Sequence, residues 1–147
     1  MEYLNFQHAG RHYCIRMSEV SEVLNDRSFL RIPRMPACFD GLFQLRGRLI
    51  TVLNLMRVLE IMDSAQMFYI VVFAPPYQHF GIRVPGTVET RFISSLEVSE
   101  SSELGDVVSD GEHNYCLLQT DKMMAFSKRV VFESMAEFIG DRKKDGS

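Results

Sequence analysis

The chain has 147 residues, of which 46% are hydrophobic, 24% charged and 11% aromatic, and its formal net charge is −3. One domain of this size buries most of its apolar surface unaided, and three widely spaced cysteines fit no disulfide framework. A pI near 5.8 lacks the basic face of a free-standing nucleic-acid binder, and the longest apolar run, residues 67–76, is too short to cross a bilayer.

Near the start, Leu4 and Phe6 alternate with Asn5 and Gln7, Gly10 supplies a turn, and Tyr13, Ile15 and Met17 alternate on a return strand. Residues 18–24 read as a helical turn or a strand, and 25–28 break the pattern. Pro33 and Pro36 lack backbone donors, so 32–36 reads as an extended crossing loop. Residues 41–45 and 48–53 make the clearest strand pair, joined at Arg46-Gly47, where glycine admits positive φ. Asn54 is a fair N-cap for one or two helical turns over 55–59, and 61–66 is a connector. Residues 67–73 are a buried strand whose partner, 79–84, is interrupted at Pro85-Gly86. A mostly alternating segment covers 87–93, and the acidic, serine-rich 94–110 reads as a loop with at most brief strands. The last strand is 114–119, followed by a turn or short helix over 120–124. Val130, Val131, Ser134, Met135, Phe138 and Ile139 recur at helical spacing. They predict a C-terminal helix over about 128–140, before a charged, fraying tail at 141–147. Short strands without long helices between them predict an all-β barrel or sandwich. Met17, Met35, Met56 and Met67 are expected to fill gaps in its core.

Charge is uneven. Residues 1–62 hold eight arginines against six acids, whereas 63–147 hold eight bases against thirteen acids. Glu97, Glu100, Glu103, Asp106, Asp110 and Glu112 stand in a stretch with no base, which reads as a solvated loop. His8, His12 and Cys14 are close enough in sequence to meet across the first hairpin, but the further ligand of a fixed metal geometry is missing. Asp106, Asp110 and Glu112 miss the spacing of a helix–loop–helix calcium site. There is no GxSxG elbow and no Gly-rich phosphate loop. No catalytic residue, metal or cofactor is therefore expected, and the absence of a basic leader after Met1 predicts a cytoplasmic chain.

The most specific pattern lies at 22–59. It holds Glu22-Val23-Leu24, then Ile32-Pro33 and Met35-Pro36, then Gly41-Leu42-Phe43-Gln44-Leu45-Arg46-Gly47-Arg48-Leu49-Ile50-Thr51-Val52-Leu53-Asn54-Leu55. This stretch resembles the CheW-like domain family of bacterial chemotaxis. Ile70-Val71-Val72 with Phe80-Gly81-Ile82-Arg83-Val84, and Tyr115-Cys116-Leu117-Leu118 with Asp121, extend the resemblance over most of 1–126.

The resemblance implies two small five-stranded SH3-like β-barrels sharing a hydrophobic core, the first over about 1–62 and the second over about 63–126. It also implies a non-catalytic adaptor that bridges transmembrane chemoreceptors and the regulatory domain of the histidine kinase CheA. Such a protein is cytoplasmic and reaches the membrane only through receptors. Matched position by position, Glu22, Gly41, Leu45, Arg46 and Gly47 fall in the region that contacts the receptor's cytoplasmic helical tip. A guanidinium held by a tight turn suits that contact better than a flexible lysine. Without the resemblance, Arg46 reads as a plain surface residue. Thr51 and Asn54 stand where the family has Pro and Asp, and Val84-Pro85 where it has Val-Asp. Pro85 removes a ladder donor and predicts an edge strand or an altered surface, so the first barrel reads as intact and the second as divergent. Two alternatives remain: a scaffold for another kinase array or localisation complex, and a small β-barrel that binds a ligand or catalyses a reaction.

Overall fold

The computed structural model describes residues 1–61 and 65–145. Strands β1 (Glu2–His8) and β2 (Arg11–Arg16) are joined by Ala9 and Gly10, both at positive φ, the geometry that suits a two-residue hairpin. A single 3-10 turn, Met17–Glu19, leads into β3 (Val20–Asn25). The central hairpin is β4 (Phe39–Leu45) and β5 (Arg48–Asn54), followed by the short helix α1 (Leu55–Val58), whose N-cap is Asn54. Then come β6 (Phe68–Phe73), β7 (Phe80–Pro85), β8 (Val88–Phe92), β9 (Glu97–Ser101), β10 (Gly105–Ser109), β11 (Asn114–Leu118) and the long helix α2 (Thr120–Asp145).

The strands form a six-stranded sheet, β8-β1-β2-β11-β10-β9, and a five-stranded sheet, β3-β6-β7-β5-β4. These are the two expected SH3-like units with a C-terminal helix, one of them a strand larger than expected. Their boundary does not fall at residue 62. Strands within 2–16 and 88–118 make one sheet, and those within 20–85 make the other. The reason is that β2 accepts β11 as a parallel neighbour, so the chain's beginning and end share a sheet. The change of charge near residue 62 therefore marks no structural division.

Alternation along the strands serves two interiors at once. Leu4, Phe6, Tyr13 and Ile15 pack with Leu53, Val71, Phe73, Ile82 and Leu118 in a core shared by both sheets. The opposite faces fill each unit: Tyr3, Cys14, Tyr115 and Leu117 in one, Phe43, Leu45, Ile50, Val52, Ile70 and Val72 in the other. Each fully buried side chain of this kind contributes about 1.5–3 kcal/mol.

Several expectations change for physical reasons. Residues 94–110 contain the hairpin β9–β10, which sequence pattern hides because all five residues of β9 are exposed and do not alternate. Its acids lie on a sheet edge, where charge deters pairing with other chains. Pro85 does not create an edge strand, because β7 lies between β6 and β5 and Pro85 ends it beyond the Phe80–Arg83 stretch that pairs with β5. Residues 32–35 are not fully extended, since Pro33 and Arg34 (φ 68°) form a turn closed by Met35 N–H to the Ile32 carbonyl. Met56 is buried and Met17 and Met35 partly so, but Met67 is 57% exposed.

Helix α2 begins at Thr120 rather than 128 and continues to Asp145, through most of the expected tail. Glu19 explains the early start: its Oε1 accepts from the Thr120 backbone N–H (3.2 Å) and from Thr120 Oγ1 (2.8 Å). A carboxylate there satisfies an orphan donor and opposes the helix dipole. Parts of the expected connector and tail, residues 62–64 and 146–147, lie outside the described residues.

Candidate functional site

The β4–β5 turn fixes one side chain in an unusual pose. Leu45 pairs with Arg48, leaving Arg46 (φ 47°) and Gly47 (φ 81°) as a two-residue turn. The left-handed conformation costs a non-glycine residue about 1 kcal/mol, so the hairpin imposes it on Arg46. Arg46 Nη2 donates to Glu22 Oε2 at 2.5 Å. Glu22 lies on β3, at the opposite edge of the sheet from β4, so this ion pair draws the two edges together.

The segment after β3 completes the closure. Leu30 and Leu42 exchange two backbone hydrogen bonds, each 2.8 Å. That approach requires Gly41, where a Cβ would lie 2.4 Å from the Leu30 carbonyl oxygen. Of the five residues expected at a receptor contact, the structure brings Glu22 and Arg46 together at the surface, with Gly47 shaping the turn. Gly41 and Leu45 serve the fold beneath them, Leu45 being 5% exposed in the inner core. Leu30 (68% exposed) and Leu49 (59%), one residue beyond the turn's Arg48, were not singled out from sequence. Alternation marks Leu49 as outward-facing, but nothing local sets Leu30 beside β4.

A polar network sits at the other end of the same hairpin. Asn54 Oδ1 accepts from Arg57 N–H at 3.1 Å, while Asn54 Nδ2 donates to Asp40 Oδ1 and Oδ2 at 3.2 and 3.1 Å. An aspartate at 54 would keep the cap but lose the donor, and would set a second carboxylate against Asp40. That accounts for the asparagine. Arg57 and Arg83 lie 3.6 and 3.8 Å from Asp40. Arg83 also donates from Nε and Nη2 to Asp26 at 2.9 and 2.7 Å, and its guanidinium lies 3.8 Å over the Phe68 ring. Sequence reading identified only the cap.

The Arg83 hydrogen bond holds the Asp26 carboxyl below its ordinary range, against the opposing effect of burial and with help from the Arg83 charge. A lowered folded-state pKa contributes stability that is present above the unfolded value, about 4, and is lost as pH falls through the folded one. Asp26→Asn is therefore expected to remove about 0.5 kcal/mol at neutral pH, a small figure because the pair is partly solvated. It should also flatten the loss of stability between pH 4 and lower values, read by urea unfolding at stepped pH.

Burial pushes the Cys14 thiol up to about 12, with the neighbouring Cys116 adding to the shift, so Cys14 stays protonated. Among the described residues, no three His, Cys, Asp or Glu side chains gather as a metal site, and no helix is long and apolar enough to cross a membrane.

Three comparisons with known proteins bear on this arrangement. The model of the CheW-like domain family matches residues 2–124. Among solved structures, the chain is similar to the scaffolding protein TtCheW from Thermoanaerobacter tengcongensis, with 20% identity and a TM-score of 0.68 over 81% of this chain and 84% of that one. A search of curated proteins finds no match.

Proposed function

This chain belongs to the CheW-like domain family, and from that premise we propose that it is a non-catalytic adaptor coupling chemoreceptors to the histidine kinase CheA. The observation that supports the reading best is the Arg46–Glu22 pair, fixed by a strained turn on the same unit that exposes Leu30 and Leu49. A held guanidinium together with exposed apolar side chains suits the amphipathic helical tip of a receptor. Glu22, Arg46 and Gly47 form that contact, while Gly41 and Leu45 support it from below. The kinase regulatory domain docks on the other unit, where the two open sheet edges, β8 and β9, present Phe92 (70% exposed) and Val98 (61%). The protein works in the cytoplasm and meets the membrane through receptors alone.

Co-sedimentation with receptor-bearing membranes and CheA tests this. The wild-type chain is expected to pellet with both and to raise the kinase content of the pellet. Arg46→Ala should weaken receptor binding at least about ten-fold while shifting the thermal midpoint by less than about 3 °C, because the arginine side chain is 65% exposed and a pair open to water on that side contributes little to stability. No pelleting of a folded wild-type chain sinks the adaptor reading. A midpoint drop of about 10 °C would make Arg46 a structural residue instead.

A further inference from the structure

The six-stranded sheet carries a cavity of about 480 Å³ beside the β1–β2 turn, whose lining includes Asn5, His8, His12, Glu89, Arg91 and Tyr115. That volume lies in the range of small-molecule sites. Six buried side-chain polar atoms find no hydrogen-bond partner among the described residues, and two of them, Asn5 Nδ2 and Asn5 Oδ1, share the face of β1 that carries Glu89 and Arg91 beside it. Asn5 is only 6% exposed.

Asn5 occupies a position that strand alternation assigns to the unit's inner core, opposite Cys14 on β2 and Glu89 on β8. An apolar side chain would sit there without desolvation cost. A buried carboxamide with donor and acceptor both idle calls for a polar partner.

The charges at the mouth narrow the chemistry of that partner. Glu89 and Arg91 stand two residues apart on β8, and Arg91 Nη2 donates to Glu89 Oε1 at 3.2 Å. Arg91 Nη1 donates to the Tyr115 hydroxyl (3.1 Å), which donates to Asp110 Oδ2 (3.3 Å). A simple anion drawn to Arg91 would also face Glu89, and a simple cation would meet the reverse conflict. A small molecule carrying both signs on groups attached to one carbon satisfies both.

We propose that this cavity binds a free α-amino acid, its carboxylate toward Arg91 and its ammonium toward Glu89, with the Asn5 carboxamide supplying the buried hydrogen-bonding group. The site belongs to the six-stranded sheet, away from the Arg46 turn on the five-stranded sheet, so it stands or falls independently of receptor binding.

Titration calorimetry of the full chain tests it, using the natural amino acids together with their N-acetyl and carboxamide derivatives, acetate and methylammonium. At least one amino acid is expected to bind with Kd below about 1 mM, and removing either of its charges should weaken binding at least about ten-fold. Arg91→Gln and Glu89→Gln should each cost about the same factor with an unchanged circular dichroism spectrum. Asn5→Leu should abolish binding while raising the thermal midpoint, since it removes the unpaired amide. The proposal is overturned if no amino acid binds the folded chain at about 10 mM, or if acetate alone binds as tightly as the amino acid. Retention of wild-type affinity by Arg91→Gln and Glu89→Gln would overturn it as well.

Discussion

Replacing Gly41 by alanine is expected to destabilise the protein by about 3 kcal/mol, which lowers the thermal midpoint by roughly 9 °C for a chain of this length. The added Cβ would meet backbone, the Leu30 carbonyl oxygen at 2.4 Å, with no flexible side chain to swing aside. At φ 138° the residue also holds a conformation that L side chains rarely adopt. Relief requires the Leu30 segment to move off β4, which breaks both Leu30–Leu42 hydrogen bonds and opens the closure that holds Arg46 against Glu22. On the proposed adaptor reading, co-sedimentation with receptor-bearing membranes should therefore fall along with stability. Gly47→Ala provides the control: nothing lies within 4 Å of its Cβ position, so only the cost of φ 81° remains, about 1 kcal/mol. Calorimetric midpoints decide the matter. An unchanged midpoint for Gly41→Ala would mean that the Leu30 segment is not anchored to β4.

Arg83→Ala should cost about as much, roughly 3 kcal/mol, for an electrostatic reason. The substitution removes both hydrogen bonds to Asp26 and the cation above the Phe68 ring. It also withdraws one of two guanidinium groups near Asp40, whose side chain is only 9% exposed. Most of the cost is expected to come from that poorly compensated carboxylate rather than from the lost contacts. A double substitution separates the two contributions. Asp40→Asn should recover about 1 kcal/mol in the Arg83→Ala background while destabilising the otherwise wild-type chain, a coupling readable from urea midpoints. Purely additive effects would remove Asp40 from the account and leave Asp26 and Phe68 as the reason Arg83 matters.

Much of the candidate site was legible because its determinants are local. Arg46-Gly47 between two apolar alternations fixes a two-residue turn, and Asn54 before Leu55 fixes a cap, since each needs only neighbouring residues to satisfy its backbone. The roles within the site were less legible. Gly41 and Leu45 fall in the matching motif beside Arg46, yet one makes room for Leu30 and the other fills the inner core. A motif records which residues recur together without separating those that touch a partner from those that hold the partner-facing residues in place.

Hydrophobic period and turn chemistry act over a few residues, so they mark most of the strands, the tight turns, the all-β class and the family pattern, though not the exposed β9–β10 hairpin. Which strands share a sheet, where α2 begins and what Arg46 leans on are settled by packing in three dimensions. Those outcomes depend on β11 joining β2, on Glu19 capping a helix that starts 101 residues later, and on Glu22 meeting Arg46 across the sheet. Each joins groups that are distant in the chain, so its free energy is gained only after packing has brought them together. No window of sequence contains both partners.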